Sequence, residues 1–166
     1  LGELDIPYVV TGSFALAVWG RPRYTADIDI VVQLLPQKLD DLANALLAID
    51  KNVYVDREVM EEALRRHGEF NFIHPASGLK VDFWVWDDGD SFDNSCLKRK
   101  ITKEIRGQKV YFISPEDLIL SKLRWHAQSG SERQLDDVKS VIKISGDRLD
   151  VRYLKRWAKK LSVLQV

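Results

Sequence analysis

The chain has 166 residues, 45% hydrophobic and 30% charged, which is the size and composition of one soluble globular domain able to bury a core. Lysine plus arginine equals aspartate plus glutamate, at 25 each. That balance removes the strongly basic overall charge of many nucleic-acid proteins and leaves only local basic patches open. The single cysteine, Cys96, excludes an intrachain disulfide and a cysteine-based metal site, and it fits a reducing compartment. No apolar run reaches the roughly 20 residues of a membrane span. A cytoplasmic location with no membrane partner is therefore expected. Leu1 to Pro7 carries acids where a secretory signal needs a basic start. Leu1-Gly2-Glu3-Leu4 reads as the end of a helix, so the natural chain is expected to begin upstream.

In chain order, Tyr8-Val9-Val10 is a short apolar run that stops at the turn-forming Thr11-Gly12-Ser13. Phe14 to Trp19 predicts a helix closed by Gly20 and Pro22. After the loop from Arg21 to Thr25, Asp27 to Val32 alternates acid and isoleucine, which predicts a strand. Pro36 to Ile49 predicts a helix with Leu39, Leu42, Leu46 and Ile49 on one stripe. A more polar helix is expected over Asp56 to Arg66, capped by Asp56 and stopped at Gly68. Phe70 to Ile73 and Lys80 to Trp86 predict a hairpin, followed by the acidic turn Asp87-Asp88-Gly89-Asp90. Lys100 to Ile105 and Lys109 to Ile113 predict a second strand pair around Arg106-Gly107-Gln108.

From Ser114 only helices are expected. Ser114-Pro115-Glu116-Asp117 supplies a cap, a first-turn proline and acids at the positive dipole end. Further helices are predicted at Glu132 to Ile144 and Asp150 to Leu161. The expected fold is α/β (α+β), a mixed sheet flanked by helices over residues 1–113, with an all-helical extension over 114–166 packed on it as one unit.

Asp27-Ile28-Asp29 is the most informative segment. Side chains alternate along a strand, so the two acids share one face and the isoleucines the other. Two neighbouring carboxylates on a sheet repel each other and lose solvation, unless a cation compensates. A hard divalent ion with oxygen ligands is the natural compensator. Asp82, in Lys80-Val81-Asp82-Phe83, offers a third carboxylate from a second strand. A two-metal phosphoryl-transfer centre uses such a set, one acid activating the attacking group while others hold the ions. Gly12-Ser13, at a strand-to-helix junction, exposes backbone N–H groups at a helix N-terminus, which suits phosphate. Taken singly, each feature also has an ordinary structural reading: a solvated Asp-x-Asp, a tight turn, a serine cap.

Together, the stretch Thr11-Gly12-Ser13-Phe14-Ala15-Leu16-Ala17 through Asp27-Ile28-Asp29, with the late Asp82, resembles the nucleotidyltransferase superfamily of the polymerase-beta type. Ser114 to Leu123 and Ser131 to Val138 are similar to small bacterial stand-alone members and, more distantly, to abortive-infection toxins. The resemblance implies that Asp27 and Asp29 ligate two Mg²⁺ or Mn²⁺ ions and that Asp82 completes the site as base. It further implies that Gly12 and Ser13 hold the triphosphate, that Lys122 contacts phosphate, and that Arg133 and Asp137 pair beside the nucleotide. The implied activity is transfer of a nucleoside monophosphate from an NTP to a hydroxyl, releasing pyrophosphate. One departure is Phe14, which follows Ser13 directly where many active members carry a second glycine or a longer polar loop.

Arg21 and Arg23 precede the acidic strand and suit triphosphate charge or an acceptor, or are simply solvated. Arg133 and Asp137, four apart on a helix, share a face. His67, His74 and His126 lack metal-ligand spacing with one another, and surface or packing roles are expected. Trp84 and Trp86 are expected on Asp82's face, to stack a base or to cover the sheet. Basic residues gather at Lys98-Arg99-Lys100 and along Arg152, Lys155, Arg156, Lys159 and Lys160, opposite an apolar stripe from Val151 to Leu161. A solvated helix face is the default there, and an RNA acceptor would use the same surface. Two rival readings remain: a weak or inactive nucleotide- or partner-binding module of this fold, and an RNA-modifying toxin with an antitoxin-like partner. The acceptor, RNA or small molecule, is not legible in the sequence.

Overall fold

The computed structural model describes all residues, 1–166. Six strands, Tyr8–Val10 (β1), Asp27–Val32 (β2), Glu69–His74 (β3), Leu79–Val85 (β4), Ile101–Ile105 (β5) and Gln108–Phe112 (β6), form one sheet. Its order is β3-β4-β2-β1-β6-β5. The sheet is mixed: β2 and β4 are parallel, as are β1 and β6, whereas β1 with β2 and the two hairpins are antiparallel. Seven α-helices surround it: Gly12–Trp19 (α1), Leu39–Leu47 (α2), Arg57–Arg66 (α3), Ser91–Lys98 (α4), Pro115–Ser129 (α5), Glu132–Ser145 (α6) and Val151–Lys160 (α7). The expected α/β class is the observed one.

Two apolar clusters lie against the sheet. One joins α2 and α3 to the face of β3 and β4 carrying Phe70, Phe72, Val81, Phe83 and Val85. The other joins α1 and α4 to α7 with Val10 and Phe112. Ile28 and Ile30 of β2 pack against both. Strand alternation therefore decides the polarity of each face. With the isoleucines and valines turned to the cores, Asp27, Asp29 and Asp82 must emerge on the opposite side.

Several boundaries differ from expectation. Pro36–Lys38 forms a 3-10 turn before α2, because proline at the first position of a turn cannot donate a backbone hydrogen bond. Helix α2 ends at Leu47, so Ile49 falls off the stripe and is exposed, while Leu39, Leu42 and Leu46 are buried. Val151, at the first turn of α7, is likewise exposed rather than part of its buried stripe. Trp86 lies past the end of β4 and lines a cavity with residues of α2 and α3, so it does not share Asp82's face.

Helix α4 was not expected at all. The acidic turn hides its start: Asp90 is the N-cap, its carboxylate accepting from the N–H groups of Phe92 and Asp93. Its apolar side is short, Phe92, Cys96 and Leu97, too brief for a periodic signal. Burial, reinforced by the negative charge of Asp90, pushes the Asp93 carboxyl up to about 6. Because the folded state holds this proton more tightly than the unfolded chain, stability falls as pH rises from about 4 to about 6 and stays reduced above. Asp93→Asn is expected to raise the melting temperature at pH 7 by removing a cost on the order of 1 kcal/mol after solvent screening. At pH 4 the two proteins should melt together. Thermal melts at both pH values check this.

Candidate active site

The register of the central strands sets the geometry. Asp29 of β2 stands directly beside Asp82 of β4, and Asp27 beside Lys80. Gly12 and Ser13, at the start of α1, close over Asp29. The Thr11 N–H donates to the Asp29 carbonyl at 2.9 Å, and the Ser13 N–H donates to the Asp29 carboxylate. Gly12 has a φ of +60°, and a Cβ built there would stand 1.8 Å from Asp29 Oδ2. Only glycine lets the chain turn this close to the carboxylate.

Asp29 is held above the ordinary carboxylate range, first by burial and then by the charges of Asp82 and Asp27. Asp82 has local partners, Lys80 Nζ at 2.7 Å and the Asn71 side-chain amide. The three acids, with Ser13, Arg23, Tyr24 and Arg133, line a cavity of about 360 Å³.

Behind it sits a buried ion cluster. Lys122 of α5, only 4% exposed, donates to Asp137 at 2.7 Å and to Gln134 at 3.1 Å. Burial pulls its ammonium below the ordinary lysine range, and Asp137 opposes that. Arg23 reaches the same Asp137 carboxylate at 3.3 Å. The expected Arg133–Asp137 pair is therefore replaced by Lys122 and Arg23, while Arg133 faces the cavity. Lys122 is paired with Asp137, and its charge also acts on Asp29. The Arg21 backbone N–H bonds Ser140 Oγ at 3.2 Å, and Arg21 is not part of the cavity lining.

Sequence reasoning missed Asn71, Lys80 and Tyr24. Lys80 and Asn71 were legible in principle, since each becomes a neighbour of the acids once the strand register is known. A larger cavity, about 610 Å³, lies among α2, α3 and Trp86. It lacks both the strand-borne acids and the phosphate-suited turn. Near it His67, Asp87 and Asp88, all exposed, bring ligand atoms within 4.8 Å of one another. The three strand acids do not converge so closely; Asp82 is drawn toward Lys80 and Asn71 instead.

Residues 1–162 match the model of a family described as "Nucleotidyl transferase of unknown function (DUF2204)". The chain belongs to this nucleotidyl transferase family. No curated protein matches it in sequence.

Among solved structures, nucleotidyl transferases share the fold. An antigenic nucleotidyltransferase-like protein from Paracoccidioides brasiliensis has 22% identity and a TM-score of 0.54, over 99% of this chain and 87% of that one. The antibiotic-resistance factor ANT(2'')-Ia, solved with adenylyl-2''-tobramycin, has 13% identity and a TM-score of 0.59, over 99% and 92% of the two chains. The lincosamide antibiotic adenylyltransferase LnuA, lincomycin-bound, has 17% identity and a TM-score of 0.54, over 86% and 90%. As in the first two, the likeness spans nearly the whole chain, helices α5 to α7 included.

Proposed function

We propose that the protein transfers a nucleoside monophosphate from an NTP to a hydroxyl acceptor, releasing pyrophosphate. The carrying observation is the register that sets Asp29 beside Asp82 under the Gly12–Ser13 turn. Adenylyl transfer by two fold neighbours to small antibiotics makes ATP and a small-molecule hydroxyl the favoured pair.

The donor set suits a hard divalent cation. All three groups are carboxylates, and Asp29 carries a cost of burial and like charge that Lys122 and the Ser13 N–H relieve only in part and a cation would offset. Lys80, at 2.7 Å from Asp82, already supplies one positive charge there. In the proposed site Asp27, Asp29 and Asp82 hold Mg²⁺ or Mn²⁺, which when bound stabilises the charge on the attacking and leaving oxygens. The protein's own part is positional. The hydroxyl of Ser13, at the positive end of α1, donates to triphosphate oxygens, while the Ser13 N–H stays on Asp29. Arg23 and Arg133, both in the cavity lining, neutralise phosphate charge. Lys122 and Asp137 fix Arg23 and set the local field. Asp82 takes the acceptor's proton.

The helical extension from Ser114 is in this proposal a working part of the site, since it brings Lys122, Arg133 and Asp137. A reducing cytoplasmic setting suits the lone buried thiol of Cys96. No helix is long and apolar enough to cross a membrane.

Mg²⁺ with an NTP is expected to raise the melting temperature well beyond either alone, by mass action on the folded state. Incubation with each α-phosphate-labelled NTP and a cell extract then identifies the fraction that takes up label. Absence of any joint metal–nucleotide shift at millimolar concentrations would refute the reading.

A further inference from the structure

Two indoles stand beside the acids but outside the cavity that the acids line. Trp84 follows Asp82 by two residues on the same face of β4, roughly 7 Å further along the strand. Trp125 follows Lys122 by three residues on α5, hence on the neighbouring helix face. The two rings meet edge to face, with centroids 6.3 Å apart. Trp125 is nonetheless 50% exposed, so the pair presents aromatic surface to solvent.

Position gives this pair its meaning. The nucleotide side of the cavity, Arg23 and Tyr24, belongs to the loop that enters the N-terminal end of β2. Because β2 and β4 run parallel, Trp84 lies toward the other end, with the acids between. Displacement at phosphorus is in line, so the attacking oxygen arrives opposite the leaving pyrophosphate. The indole side is therefore where an acceptor must lie.

Resting on the proposed nucleotidyl transfer, we propose that Trp84 and Trp125 form the acceptor platform, and that it takes a small, hydroxyl-bearing ring compound. A saturated ring lays its C–H face on the indoles while its hydroxyls meet the polar rim. That rim is Glu69, paired across from Trp84, and Asn71, paired across from Asp82. The nearby cations are already engaged, Lys80 with Asp82 and Arg124 with Asp90 at 3.3 Å. A polyanion such as an RNA end thus meets Glu69 on the indole side, while the unpaired Arg133 faces the nucleotide cavity. In the step itself the ring hydroxyl oxygen bonds to the α-phosphorus, the bond to pyrophosphate breaks, and the hydroxyl proton passes to Asp82.

The test uses the full chain with Mg²⁺, α-phosphate-labelled NTPs and a panel of pyranosides, aminocyclitols and nucleosides. Label is expected on at least one panel member. In Trp125→Ala the KM for that acceptor should rise about tenfold, the size of one lost stacking contact, with kcat changed far less. Trp125→Phe should recover most of the loss, and both variants should keep the joint metal–nucleotide melting shift. Label on RNA or protein alone, label on nothing while nucleotide still binds, or an unmoved KM in Trp125→Ala each overturns the platform. A wild-type protein with no nucleotide shift overturns the parent reading as well, so the two failures are told apart.

Discussion

Replacing Gly12 by alanine is expected to abolish activity while leaving most of the fold in place. The new Cβ would stand 1.8 Å from Asp29 Oδ2, far inside any tolerated contact. Either the turn opens, or the Asp29 carboxylate is driven from its place beside Asp82. A positive φ, here +60°, adds about 1–2 kcal/mol of strain for an L-residue with a Cβ. Displacing a reacting geometry by about 1 Å costs about 100-fold in rate, so the loss should be at least that large. The melting temperature should drop modestly and the metal–nucleotide shift should vanish. An active Gly12→Ala enzyme would show that the turn does not shape the site.

The second large effect is Asp27→Asn with Asp29→Asn. Both changes keep side-chain size and remove charge. Transfer of label from an α-labelled NTP should fall roughly 10³-fold or more, since in the proposed site the divalent ions would lose two anionic ligands. Stability should move the other way. Burial and the charges of Asp82 and Asp27 make the ionised form of Asp29 costly, so the double variant should melt higher than wild type in metal-free buffer. A merely structural role for these acids predicts the reverse, a lower melting temperature. Unchanged label transfer would remove Asp27 and Asp29 from the chemistry.

What the sequence disclosed, it disclosed through periodicity. Alternation in Asp27-Ile28-Asp29-Ile30 and in Val81-Asp82-Phe83 gave both strands and the face their acids occupy, because apolar alternates have only one place to go. Ser114 and Asp56 marked helix starts correctly, and both accept the expected backbone N–H bonds. Pairing across distance was not legible. Asp137 has Arg133 one turn away, yet it binds Arg23 and Lys122, since burial of Lys122 demands an anion more urgently than an arginine facing the cavity does. Trp86 was misplaced because β4 ends at Val85, and alternation carries no information past a strand's last residue. Helix α4 escaped because its apolar side is only three residues. Of the partners of Asp82, Lys80 stands two residues away on the same face of β4, whereas Asn71 follows from the register, which no local pattern specifies.

The carboxylate of Asp137 joins the loop before β2 to α5, and its partner Arg23 is 114 residues earlier in the chain. During synthesis the ribosome delivers Asp27, Asp29 and Asp82 long before this anchor emerges. A nascent chain thus holds its acids on a half-built sheet, with Arg23 untethered and Lys122 not yet paired. Under the proposed function the Arg23 loop is set last, when α6 brings Asp137 to it.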